Sequence, residues 1–84
     1  MRIDKFLKVS RLIKRREVAK ELCESGFVEI NGKAAKPSSE IEEGDELLLR
    51  LGKRRLKVKI LGVRPFANKE QAGSLYEVIE DSVQ

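Results

Sequence analysis

The sequence predicts an α+β fold in which two short helices pack on a small, mostly antiparallel β-sheet. Three observations carry this expectation. Apolar residues recur at helical spacing through the first 25 positions. From Phe27 onward the period shifts towards alternation. The first alternating run ends in Asn31-Gly32, a strong signal for a two-residue hairpin. With 84 residues the chain makes one domain at most. A domain of that size buries only ~60–65% of the surface its unfolded chain exposes, so its core is small and a second, catalytic domain has no room.

The first helix is expected over Ile3–Ser10. At about 100° per residue, Ile3, Phe6, Leu7 and Ser10 share one arc, with Lys5 and Lys8 opposite and Arg2 at the edge. Asp4 either caps the start or occupies the first turn, where the helix dipole favours a negative charge. Residues 11–14 connect to a second helix running from Arg15 or Arg16 to about Ser25. Its apolar arc is Val18, Ala19, Leu22 and Cys23, and Gly26 suits the left-handed position after its last turn. Phe27, Val28 and Ile30 form a strand, and Lys33–Lys36 return from the Asn-Gly turn until Pro37. Residues 40–46 are a turn region with five acids. Leu47–Leu51 form a strand, turned by Gly52-Lys53. In Arg54–Val63, Leu56, Val58 and Ile60 face one way and Arg55, Lys57 and Lys59 the other. Residues 68–74 suit a helical turn, and Leu75–Ile79 a final strand or helix.

Charge is uneven. Residues 1–36 hold ten basic and five acidic residues, a net of +5, whereas residues 37–84 hold eight and nine, a net of −1. A polyanion would meet a positive front and a nearly neutral back, and nucleic acid is the commonest partner for such a front. The concentration is sharpest over residues 1–16, with seven cations (four of them Arg) against Asp4. Lys14, Arg15 and Arg16 crowd the start of the second helix, which already carries about half a positive charge and unpaired N–H groups. Stability alone favours Ser, Thr, Asp or Glu there. A bound phosphate gives the cations a purpose, because N–H groups, dipole and side chains then act on one anion.

The four aromatics are Phe6, Phe27, Phe66 and Tyr76. Phe6 and Phe27 suit core positions, which argues against binding through stacked single-stranded bases and for recognition of folded RNA by shape and backbone. Lys33 and Lys36 extend the charge beside the Asn31 turn. The Lys53–Lys59 run is either a solvated strand face or a second RNA contact, and the acids at 40–46 are expected away from RNA. The candidate RNA-binding set is therefore Arg2, Lys5, Lys8, Arg11, Lys14, Arg15, Arg16, Lys20, Asn31, Lys33 and Lys36.

Other chemistry is limited by count. There is one cysteine and no histidine, which excludes an internal disulfide, a Cys/His zinc site and a His-activated nucleophile. Cys23, on the apolar arc, is expected buried and inert. No stretch approaches 18 apolar residues, and the basic start leaves no apolar core for a signal peptide. No enzyme activity, cofactor, metal, small-molecule substrate or membrane is expected, and the location is expected to be cytoplasmic.

Several segments also resemble the S4-type RNA-binding domain: Arg2-Ile3-Asp4-Lys5-Phe6-Leu7, Arg16-Glu17-Val18-Ala19-Lys20, Gly26 through Lys33, and Gly44-Asp45. The stretch Lys8 through Arg16 is similar to the single-domain bacterial proteins of the ribosome-associated quality-control P type (RqcP). Lys36-Pro37-Ser38 and Leu75-Tyr76-Glu77 resemble the small S4-domain heat-shock protein. The resemblance implies an S4-like (alpha-L motif) fold with one domain over 1–84: a core motif over about 1–52, then a C-terminal strand and tail over 53–84. It implies binding to large ribosomal subunits obstructed by peptidyl-tRNA. The partners would be large-subunit rRNA, the peptidyl-tRNA and a quality-control factor, in support of nascent-chain tailing. By motif, Arg2 and Arg16 carry over first, then Lys5, Lys8, Arg11 and Lys14. Arg15 departs from the pattern, since many such domains have Ser or Thr there.

Two other classes compete with this reading. A protein–protein adaptor would dock an acidic partner on the same basic face. An RNA-modifying enzyme would use such a module as an appendage, but this chain has no metal set or phosphate-cradling glycine loop. A DNA-binding helix-turn-helix fits less well, because the cations do not line a groove-reading face. Arg2→Ala and Arg16→Ala are expected to weaken RNA binding while leaving the fold intact.

Overall fold

The computed structural model describes residues 1–83. Its elements, in chain order, are α1 (Ile3–Val9), α2 (Arg16–Glu24), β1 (Val28–Ile30), β2 (Lys33–Ala34), β3 (Glu46–Leu51), β4 (Arg54–Ile60), α3 (Lys69–Ala72) and β5 (Tyr76–Val83). The five strands form one antiparallel sheet in the order β2-β1-β3-β4-β5. The α+β expectation holds. The segment at 68–74 contains α3, closed by a capping box between Asn68 and Gln71, and the final element is a strand.

Sheet register explains the core. Val28 stands opposite Leu49, which stands opposite Leu56, and Ile30–Leu47–Val58 form a second cross-strand row. Ile3, Phe6 and Leu7 of α1 and Ala19 and Cys23 of α2 join this core. The helical arc is confirmed down to Ser10, which is buried with its hydroxyl donating to the Leu7 carbonyl. Asn31 (φ 49°) and Gly32 (φ 84°) both lie in the left-handed region, as a type I′ hairpin turn requires. Among the described residues no helix is long and apolar enough to cross a membrane.

Phe27 corrects the sequence expectation: it is 46% exposed. The Gly26 N–H donates to the Cys23 carbonyl and the Phe27 N–H to the Leu22 carbonyl. These are the two bonds of a Schellman motif, which sets Phe27 at the rim as the chain leaves α2. Val18, expected on the apolar arc, is also exposed, and Leu22 is only half-buried. Only the Ala19–Cys23 stripe of α2 is buried, against α1 and β1.

Candidate nucleic-acid interface

Two of the cations of residues 1–16, Arg2 and Arg16, converge on one buried carboxylate. Asp4 lies in the first turn of α1 and is 1% exposed. The Arg2 Nε and Nη2 groups donate to its two oxygens at 3.2 and 3.1 Å. Arg16 Nη2 reaches Oδ1 from α2 at 3.4 Å, and the Lys5 backbone N–H donates to the same oxygen at 2.8 Å. Burial raises the pKa of this carboxyl. The hydrogen bond from Arg16, that from the Lys5 N–H, the Arg16 charge and the hydrogen bond from Arg2 outweigh it, so the group lies below the usual aspartate range. Asp4 therefore stays ionised and ties the two helices together.

The arginines are not consumed by this contact. Their side chains remain 44% and 46% exposed. A guanidinium has five N–H donors. Arg2 spends two on Asp4 and Arg16 one, leaving three and four. The carboxylate restrains both planes beforehand, so less side-chain entropy is lost when an anion binds. Lys20 and Glu17 border the same shallow site.

A second group forms one helix turn away. Lys8, Arg11 and Lys14 line a groove of about 400 Å³ together with Val9, Pro65, Phe66 and Ala67. Arg11 follows the C-cap of α1 with φ 63°, its N–H returning to the Lys8 carbonyl. Glycine is the usual residue there, because a Cβ in this conformation costs roughly 1–2 kcal/mol. Arg11→Gly is therefore expected to leave the protein as stable or about 1 kcal/mol more stable by urea unfolding, while weakening RNA binding several-fold. Lower stability in that variant would mean that the Arg11 side chain supports the fold.

Arg15 is the N-cap of α2 and makes no side-chain cap hydrogen bond, and the acid in that helix's first turn is Glu17. Lys5 is half-buried; Lys8, Lys14, Arg15, Lys20, Lys33 and Lys36 are exposed. Lys33 and Lys36, on the hairpin, line neither groove. The Asn31 side chain works within the fold, donating to Asp45 at 3.1 Å and accepting the Glu46 N–H at 2.9 Å.

Part of the charge elsewhere is internally matched. Arg54 pairs with Asp81, Arg55 with Glu80, Lys57 with Glu46 and Arg50 with Glu29, at 2.8 to 3.4 Å. Within the Lys53–Lys59 run, Arg54, Arg55 and Lys57 are thus answered by carboxylates, which weakens its case as a second RNA contact. Glu40 is a further correction. An isolated bridge sets Arg2 opposite Glu40, and the Glu40 carboxylate accepts from the terminal amine at 2.9 Å, so one acid of the 40–46 segment borders the basic face. Cys23 is buried, and burial first, then the Asp4 and Glu24 carboxylates, pushes its thiol up to about 11. It is a packing residue rather than a nucleophile.

Comparison with known proteins agrees with this geometry. The S4 domain family model matches residues 1–47, which span α1, α2 and the β1–β2 hairpin. The chain belongs to the S4 domain family. Its relatives in that family include the RQC P-site tRNA stabilizing factor of Halalkalibacterium halodurans, 54% identical over 78 residues covering 93% of this chain and 89% of that protein. The Bacillus subtilis protein of the same name is 46% identical over 81 residues, covering 96% and 94%. A heat shock protein 15 homolog of Haemophilus influenzae is 36% identical across this chain, which spans 65% of that protein. The solved trimeric structure of Vibrio cholerae heat shock protein 15 superposes with a TM-score of 0.86 at 33% identity, covering 93% of this chain and 80% of that one. The S4-like fold and both relationships expected from the sequence are confirmed.

Proposed function

We propose that this chain is a non-enzymatic RNA-binding factor of ribosome-associated quality control. In this reading it uses its α1–α2 face to hold P-site tRNA against rRNA on large ribosomal subunits obstructed by a stalled peptidyl-tRNA, so that tailing of the nascent chain can proceed in the cytoplasm. The supporting observation is the face itself: seven cations within the first 16 residues, whose one acid is buried beneath two of them. The names of the relatives, P-site tRNA stabilizing factors, supply the ligand class.

Arg2 and Arg16 make the principal phosphate contacts, because their forks are already oriented and suit bidentate recognition. Lys8, Arg11 and Lys14 contact a neighbouring stretch of backbone. Lys5, Arg15 and Lys20 contribute charge at short range, and Lys33 and Lys36 contribute at the margin. If about five phosphates are neutralised, log affinity for large subunits falls with log salt at a slope of about −3.5 to −4.5. Co-sedimentation across a salt series measures this slope. A slope near zero, or no association at low salt, contradicts the reading.

A further inference from the structure

We infer that Phe66 is a stacking platform for one unpaired nucleobase, whose flanking phosphates are held by Lys8, Arg11 and Lys14. The inference rests on the RNA reading above and names a base contact within it.

Phe66 is 82% exposed, the most exposed of the large apolar side chains. Burying a Phe side chain stabilises a protein, so stability alone does not account for this placement. Loop residues 61–68 bring it there. Pro65 stiffens the backbone just before it, and Ala67, half-buried, packs against the core just after it. The ring lies beside α1, with Lys5 Nζ 5.8 Å from its centroid, within the range of a cation–π contact. Lys5 thus steadies the ring, while most of its surface stays open.

The surroundings select the ligand. The groove of about 400 Å³ has apolar walls from Val9, Pro65, Phe66 and Ala67, three cations and no carboxylate. A purely apolar ligand would leave Lys8, Arg11 and Lys14 without partners. A phosphate alone would not use the ring. An unpaired nucleotide meets both demands, with a flat π-face next to an anion. Arg11 holds a left-handed backbone in which glycine would be more relaxed, which fits a side chain retained for contact rather than for packing. The few aromatics of the chain still argue against a run of stacked bases. One platform beside a phosphate-binding face reads a single flipped or looped-out base.

The test compares wild type, Phe66→Ala, Phe66→Leu and Phe66→Tyr for binding to purified large ribosomal subunits carrying P-site tRNA. Phe66→Ala and Phe66→Leu are expected to bind about tenfold more weakly, with the salt slope unchanged. Phe66→Tyr is expected to bind as wild type. The exposed position keeps all three folded, which circular dichroism checks. In parallel, p-benzoylphenylalanine at position 66 should crosslink to a nucleotide. Wild-type affinity in Phe66→Leu, no effect of Phe66→Ala, or a crosslink to a ribosomal protein overturns the base-stacking inference while leaving the RNA reading standing. Failure of the wild-type protein to bind the subunits overturns both.

Discussion

Asp4→Asn is expected to destabilise the protein by about 2 kcal/mol, the largest effect of any single polar substitution on this face. Removing one partner of a buried ion pair costs roughly 3–5 kcal/mol. Here the other partners, Arg2 and Arg16, are nearly half exposed and recover part of their hydration, so the cost falls below that range. The variant also loses the carboxylate that accepts from the Lys5 N–H and that bridges α1 to α2. For a domain of this size the melting temperature should fall by roughly 10 °C. The pH dependence follows from the depressed folded pKa of Asp4. Its contribution is fully present above the unfolded value of about 4. It is lost as the pH falls through the lower folded value, when the carboxyl protonates and the arginines lose their anchor. Urea unfolding of wild type and Asp4→Asn at pH 7 and near pH 3 tests this. The stability gap between them should narrow in acid, and a gap independent of pH would show that the charge of Asp4 is not what matters.

The second large effect is expected on binding. Arg2→Ala and Arg16→Ala should each lower affinity for large subunits about tenfold, as loss of a charge-assisted hydrogen bond to phosphate does. The double variant should approach a hundredfold. Each single variant leaves Asp4 one guanidinium and the Lys5 N–H, so it should remain folded, as anticipated from the sequence. The double variant should not be neutral. It leaves a buried carboxylate with a single hydrogen-bond donor, at a cost of about 1–3 kcal/mol. Affinity is therefore best measured at a temperature where circular dichroism shows both singles and the double folded. Unchanged affinity in Arg16→Ala would point to the protein–protein adaptor instead.

The local elements were legible because short-range rules determine them. The arc of Ile3, Phe6, Leu7 and Ser10 is buried as its spacing predicts, and the Asn31-Gly32 turn and the strand alternation at Leu56, Val58 and Ile60 are as read. What escaped the sequence depends on contacts between distant positions. The cations at 54–57 are answered by Glu80 and Asp81, more than 20 residues away, and by Glu46 across the sheet. No periodicity reveals that register. Charge counting treats Asp4 as a minor offset among seven cations, whereas burial turns it into the anchor of the two arginines. Phe27 was misread because its hydrophobicity was weighed without the helix-ending turn that carries it to the rim. The exposure of Phe66 depends on how its loop lies beside α1, which composition does not encode.

The central claim is that RNA docks on the α1–α2 face, and site-directed photocrosslinking tests it most directly. A photoreactive residue at position 14 or 20 of the bound protein should attach to rRNA or P-site tRNA on purified large subunits, whereas one at position 77, on the edge strand β5, should not. RNA attached from position 77 and none from positions 14 and 20 would contradict the account.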